Sequence, residues 1–454
     1  MKSDINALNA NLQALCTDLQ AEYSIDPHSY DGDTVKRGLR NADGTGVIAG
    51  VTRVGSVQGY YMRDGERVPM PGELYYRGIN VMEIVENHQR NSSYGFEEVA
   101  YLLLFGRLPD QSQYEAFNGI LANARELPDR FFEDMILKAP SIDIMNKLER
   151  SILALYSYDD TPDDTSIENV IRQSIMLIAR FPTIVANAYA VKRHVFDKDS
   201  LYIHNSLENL SVSENFLRMI RHDKAYTDEE AKLLDLMFIL HAEHGGGNNS
   251  AFACRTVTSS GTDTYSAIAA AVGSLKGPLH GGANAKVNEM MANIADNVRN
   301  HRDDDELRAY LIKLLNGEAG DRSGKIYGLG HAVYTISDPR ALAIKKYART
   351  MAEERGLLDQ LELIESVERI GIPMVSGRIR RTIPMCANVD MYSGLVYSML
   401  DIPTDLYTPM FAIARIAGWC AHRIEELVNG KRIMRPAYRS VIKPTPYVQM
   451  KDRL

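Results

Sequence analysis

The sequence predicts a mainly α-helical protein of two domains with small β-hairpins near the N-terminus. Three observations lead there. Helical apolar periods dominate from about residue 95 onward. The β-like runs at 47–54, 58–62 and 74–76 are short and broken by Gly and Pro. Composition shifts near 276–285 and 384–394 bracket a segment with helices of its own. The expected division is an N-terminal helix and linker (1–46), a large helical domain (47–285 plus 395–454) and a smaller one (286–394). A cleft between lobes is the default place for a ligand.

Composition narrows the function. The 454 residues carry 51 Lys plus Arg against 59 Asp plus Glu, a net charge of −8. That balance argues against a general binder of nucleic acid or anionic membrane, so an anionic substrate needs a local basic cluster. With 45% hydrophobic and 24% charged residues, disorder, collagen and a disulfide scaffold are excluded. Cys16, Cys254, Cys386 and Cys420 form no C-x-x-C pair, so reduced thiols are expected. The N-terminus, with Asp4, Asp18 and Glu22, lacks an apolar core, so neither a signal peptide nor a transit peptide is expected and the localisation predicted is cytoplasmic. No uncharged apolar run reaches about 18 residues, so no membrane span is expected.

Taken in order, Ile5, Leu8, Leu12, Leu15 and Leu19 recur at helical spacing. Residues 24–46 are polar and turn-rich, a linker by composition. Thr227 with Glu230 is a capping box opening a helix that runs to His244 in its last turn, where Gly245–Gly247 stop it. His241 and His244 stand one turn apart, so ligand binding, a metal pair or simple packing are all open readings. Gly277-Pro-Leu-His280-Gly-Gly puts His280 at a helix N-terminus, which favours a neutral ring suited to stabilising an enolate. Gly328 and Gly330 seat His331. Asp338 reads as N-cap and Pro339 as first helical residue, leaving Arg340 positioned to hold an anion with the helix terminus. Asp390 opens an apolar helix as a cap or as a general base in apolar surroundings. Within 409–421 the single charge is Arg415, which must meet an anion if buried. Arg435 adds a cation beyond that helix. Together these residues can deprotonate a carbon beside a carbonyl and hold a dicarboxylate.

Four motifs carry a resemblance: H-G-G-G-N-N-S (244–250), G-P-L-H-G-G-A-N (277–284), G-H-A-V-Y followed by D-P-R-A (330–341), and N-V-D-x-Y-S-G (388–394). In order and spacing they resemble the citrate synthase family over about residues 47–440. The resemblance implies that Asp390 removes a proton from acetyl-CoA, that His280 stabilises the enolate, and that His331 polarises the ketone of oxaloacetate. It implies that His244, Arg340 and Arg415 grip the dicarboxylate, with Arg435 reaching in from the partner of a homodimer, and that citryl-CoA is then hydrolysed. It also implies a helical fold whose small domain, 286–394, closes over the site, with no cofactor and no metal. Arg378, Arg380 and Arg381 are candidate contacts for CoA phosphates or a solvated basic run. One departure stands out: the family commonly has Asp-His-Glu where this chain has Glu243-His244-Gly245. The helical N-terminus does not resemble the β-rich one of the NADH-inhibited hexameric branch. The competing readings are 2-methylcitrate synthase using propionyl-CoA, a metal-dependent hydrolase built on His241 and His244, and a non-catalytic binding protein.

Overall fold

The computed structural model describes residues 24–26, 28, 35–41, 44–379, 383–430 and 432–453. The helix expected around Ile5–Leu19, together with Cys16, Arg380 and Arg381, lies outside them. Residues 49–434 form one compact unit, and 1–48 with 435–454 form another. In the second unit, Arg40 bridges Gly46 around a tight turn closed by Asn41.

The larger unit begins with an antiparallel sheet of β1 (Gly55–Arg63), β2 (Glu66–Tyr76) and β3 (Ile79–Asn80), paired in that order. Asp64 and Gly65 join the first two strands with φ of 53° and 83°. Two successive left-handed residues make the turn whose twist suits a two-residue hairpin, and Asp-Gly favours it. The turn draws residues 55–63 onto β2, with a bulge between Gln58 and Tyr60. The 47–54 run is therefore not a strand: β2 is already paired, and Ile48 and Val51 lie exposed.

Helices follow: α1 (Val81–Asn91), α2 (Phe96–Phe105), α3 (Gln111–Ala124), α4 (Ile144–Leu155), α5 (Ile167–Lys192), α6 (Val212–Ile220), α7 (Asp228–His241), α8 (Asn249–Thr258) and α9 (Thr264–Lys276). Then come α10 (Ala283–Asn297), α11 (Asp304–Leu315), α12 (Pro339–Glu354), α13 (Leu358–Arg378), α14 (Asp390–Met399) and α15 (Tyr407–Asn429). Helix α15 is the hub. It is buried on nearly every side and packs against α2, α5, α7, α8 and α9. The stretch Ile167–Asp197, α5 with its continuation, is long and apolar enough to cross a membrane, but 78% of its apolar window is buried within the unit. It is a core helix. Helices α10, α12 and α13 pack with α14, in the segment where the sequence places a smaller lobe. Cys254, Cys386 and Cys420 are buried and form no disulfide.

The hairpin carries the loop that follows residue 330. Thr335 donates its hydroxyl to the carbonyls of Gly59 and Met70. Gly72 N–H donates to Ser337 Oγ at 3.2 Å. A Cβ on Gly59 would lie 2.5 Å from Tyr334 Cα and 2.5 Å from the Val333 carbonyl oxygen. Backbone cannot yield there as a flexible side chain could, so Gly59→Ala should lower stability by about 1–3 kcal/mol in urea unfolding.

Candidate active site

Three local expectations change in the structure. Helix α7 opens with the predicted Thr227–Glu230 capping box but ends at His241, so His244 sits in the following loop rather than the last turn. The reason is tertiary: Arg415 Nε donates to the His241 carbonyl at 2.6 Å, and Gly245 adopts φ of 82°. His280 lies in a turn ahead of α10, which begins at Ala283 behind Gly282. Asp390 is not a cap. It is the first residue of α14, and Asn388 Oδ1 accepts its N–H at 3.0 Å, which leaves the Asp390 carboxylate free for other work.

Asp338 behaves as predicted and does more. Its carboxylate accepts the Arg340 N–H at 3.0 Å, capping α12. It also takes Arg340 Nε at 3.0 Å and Nη2 at 2.7 Å. Its Oδ2 accepts the Val389 N–H at 3.2 Å, next to Asp390. Asn388 Nδ2 donates to the Gly330 carbonyl at 2.9 Å. His331, Arg340 and Asp390 are thereby tied to one point.

A second set of bonds joins the other side of the site. Ser250 N–H donates to His280 Nε2 at 3.3 Å, and Ser250 Oγ accepts Trp419 Nε1–H at 3.1 Å, one turn from Arg415. The amide on Nε2 leaves the His280 proton on Nδ1. His331 Nδ1 accepts both the Val333 and Tyr334 amides at 3.0 Å, so its proton is on Nε2. His244 Nε2 is 3.2 Å from the Tyr334 hydroxyl, and the His244 and His331 rings meet edge-to-face at 5.2 Å.

Burial sets the protonation states. It lowers His280 and His331 to about 4, aided by Arg415 in the first case and Arg340 in the second. His280 is neutral as the sequence predicts, but burial rather than the helix terminus is the leading cause. Burial, then Arg340, His331 and Arg415, hold His244 well below its ordinary value. Asp390 moves the other way. Burial raises its carboxyl to about 6, against the pull of Arg340 and Arg415. These mutual influences gather His244, His280, His331, Arg340, Asp390 and Arg415 around one site. Arg415 is 3% exposed, and among the described residues no carboxylate lies within ion-pair distance of it. Its Nε is taken by a carbonyl, and its Nη groups remain for a ligand anion.

Arg435 is exposed and belongs to the second unit. Arg378 is exposed at the end of α13, 3.3 Å from Asn316 Oδ1. His241 is fully buried and stacked on Phe411 at 3.8 Å. It does not share a ligand cluster with His244. Among the described residues, the His and acid group with ligand-like spacing is His301, Asp359 and Glu362, where Arg302 already pairs with both acids at 2.6 and 2.7 Å.

Sequence reasoning missed Ser250, Tyr334 and the Glu243–His422 pair. The first two lie inside quoted motifs, so their neighbours pointed to them. The third had no local signal: Glu243 Oε1 meets His422 Nε2 at 2.9 Å across 179 residues of chain, and both side chains are fully buried. Arg255 Nη1 donates to His422 Nδ1 at 3.0 Å, and Glu243 accepts the Gly245 N–H. The acid absent after His244 is thus accompanied by a buried one before it, fixing the loop backbone.

A family model described as "Citrate synthase, C-terminal domain" matches residues 42–437. The chain belongs to the citrate synthase family. A citrate synthase of Synechocystis sp. is 35% identical over 89% of this chain and 90% of its own length. A 2-methylcitrate synthase of Shewanella oneidensis is 31% identical over 84% of this chain and 92% of its own. The solved ternary complex of carboxymethyl coenzyme A and oxaloacetate with citrate synthase from Thermoplasma acidophilum superposes with a TM-score of 0.73 at 25% identity, over 93% of this chain and all of that one. The all-helical architecture with its small sheet is that of this family.

The Asp338 carboxylate and the Arg340 guanidinium are 0% and 5% exposed. Asp338→Ala leaves a buried cation unpaired and should cost about 3–5 kcal/mol in chemical denaturation.

Proposed function

We infer that this enzyme condenses acetyl-CoA with oxaloacetate and hydrolyses the resulting citryl-CoA to citrate and CoA. The observation that carries this reading is the gathering of one high-pKa carboxylate, Asp390, and two neutral imidazoles, His280 and His331, around the buried Arg340 and Arg415. A carboxylate that titrates near 6 is a better base than an ordinary aspartate and is still ionised at neutral pH. Asp390 takes a methyl proton from acetyl-CoA. The His280 Nδ1–H donates to the thioester oxygen, where negative charge develops. The enolate carbon attacks the ketone of oxaloacetate, and His331 Nε2–H donates to its oxygen. Arg415 and Arg340 hold the carboxylates with His244. These groups supply all the acid, base and charge the condensation needs, with no metal or prosthetic group.

Further parts of the reading rest on the family likeness. Residues 286–394 act as a small domain that closes to keep water from the enolate. Arg435 enters the site of the partner in a homodimer, and Arg378, Arg380 and Arg381 meet CoA phosphates. From sequence composition rather than from the likeness, the enzyme is assigned to the cytoplasm. A second reading, 2-methylcitrate synthesis from propionyl-CoA, is favoured by the 2-methylcitrate synthases among the relatives. One methylene is worth only about 1–3 kcal/mol in an apolar pocket, and the same residues serve either acyl group.

Free-thiol release with oxaloacetate tests both. The expected result is a higher kcat/KM with acetyl-CoA, and a preference for propionyl-CoA would move the assignment to the second reading. Asp390→Ala and His280→Ala should each lower kcat by about 10³-fold while calorimetry still detects oxaloacetate binding. Turnover near the wild-type rate in either variant would refute the assigned roles.

The pH profile follows from the same groups. As pH falls through about 6, Asp390 takes up a proton and ceases to be a base. His280 and His331 stay neutral down to about 4. The rate kcat/KM should therefore drop about tenfold per pH unit below 6 as a single ionisation. A flat profile between pH 5 and 7, both values set by these shifts, would remove Asp390 as the base.

A further inference from the structure

One fully buried side chain touches three members of the site. The Tyr334 hydroxyl lies 3.2 Å from His244 Nε2. Its ring stacks on the His331 ring at 4.4 Å with 25° between planes. The Arg340 guanidinium sits 5.8 Å over the same ring. Its own backbone N–H also fixes the His331 tautomer. Tyr334 itself has little room to move. Its Cα backs onto Gly59, and a Cβ on Gly72 would lie 2.7 Å from its Cδ1. The neighbouring Thr335 is bonded into the hairpin.

These contacts have different chemistry. The hydroxyl acts on His244 alone, through one hydrogen bond. A phenol that keeps its proton can donate to Nε2 or accept from Nε2–H, and either bond holds the His244 ring at one angle. The ring face acts on His331, whose Nε2–H is then held at a fixed angle. Neither imidazole rides on a helix: His244 follows the end of α7, and His331 directly follows Gly330, the second of two left-handed glycines. Two amides anchor the His331 ring at Nδ1 and the stack sets its tilt, while the phenol holds His244; orientation to within tens of degrees governs a catalytic hydrogen bond.

We propose that Tyr334 is a positioning residue that sets the two imidazoles of the oxaloacetate subsite, its hydroxyl aligning His244 for the carboxylate and its ring aligning His331 for the ketone. This rests on the condensation reading above. It makes the two functions of one side chain separable by substitution.

The test compares wild type, Tyr334→Phe and Tyr334→Leu in steady-state thiol release with acetyl-CoA and oxaloacetate. Tyr334→Phe keeps the stack and loses the hydrogen bond, so the oxaloacetate KM should rise about tenfold. Its kcat and acetyl-CoA KM should stay within about twofold, and its Tm within about 2 °C of wild type. Tyr334→Leu also loses the stack, so kcat should fall about 10–100-fold in addition. An unchanged oxaloacetate KM in Tyr334→Phe overturns the proposal. So does a parallel change in both substrates' KM with a lowered Tm, which is the mark of a merely structural residue. A wild type that releases no thiol sinks the condensation reading instead. The brace is then judged on the His244 imidazole 15N shifts, where a change in Tyr334→Phe supports it and identity with wild type overturns it.

Discussion

The site depends on one buried carboxylate. Asp338 caps α12, neutralises Arg340 and accepts the amide that begins the turn into α14. A guanidinium this deeply buried is costly without polar partners, and for Arg340 Asp338 supplies them. By holding Arg340 against the helix terminus rather than in solvent, Asp338 also spans the distance between two segments fifty residues apart. The cation that grips an anion and the acid that removes a proton therefore share a single anchor. The charge is kept in the interior by four backbone and side-chain donors that converge on that one acceptor.

The same dry surroundings push acids and bases in opposite directions, and the chemistry uses both. Burial raises Asp390 and depresses His244, His280 and His331. An ionised but basic carboxylate and neutral imidazole donors are the pair that enolate formation requires. The two arginines prevent the shift of Asp390 from going further, so it still ionises below neutral pH. Arg415 contributes through field and position, since a peptide carbonyl rather than an acid holds its Nε. Its remaining nitrogens can turn to a substrate carboxylate without breaking an ion pair.

Around this centre the scaffold works by close approach. Glycines in the hairpin admit the backbone of the His331 loop, and Gly418 lets α15 pass against the turn after α7, where a Cβ would meet the Ala242 carbonyl oxygen at 2.5 Å. The buried Glu243–His422 pair, with the half-buried Arg255 behind it, then secures the loop leading from His244 to Ser250. Loops placed by such contacts carry the imidazoles, so the precision of the site comes from what the loops lean on.

Much of this was legible in the residues alone. Helical periods from residue 95 onward, the Thr227–Glu230 box, the Asp338-Pro339 start and the single charge in 409–421 are local patterns, and local patterns obey backbone sterics and capping chemistry. The motifs around His244, His280, His331 and Asp390 named the reactive groups because the required side-chain types sit in short runs. Where one segment's shape depended on another's, the sequence was silent. The end of α7 is set by Arg415, the pairing of residues 55–63 by β2, and the state of His280 by burial rather than by its own helix. Tyr334 meets His244 and His422 meets Glu243 across 90 and 179 residues of chain. Sequence determined which groups were available; tertiary packing decided how they face each other and which protons they hold, because desolvation and hydrogen-bond geometry exist only once distant segments meet.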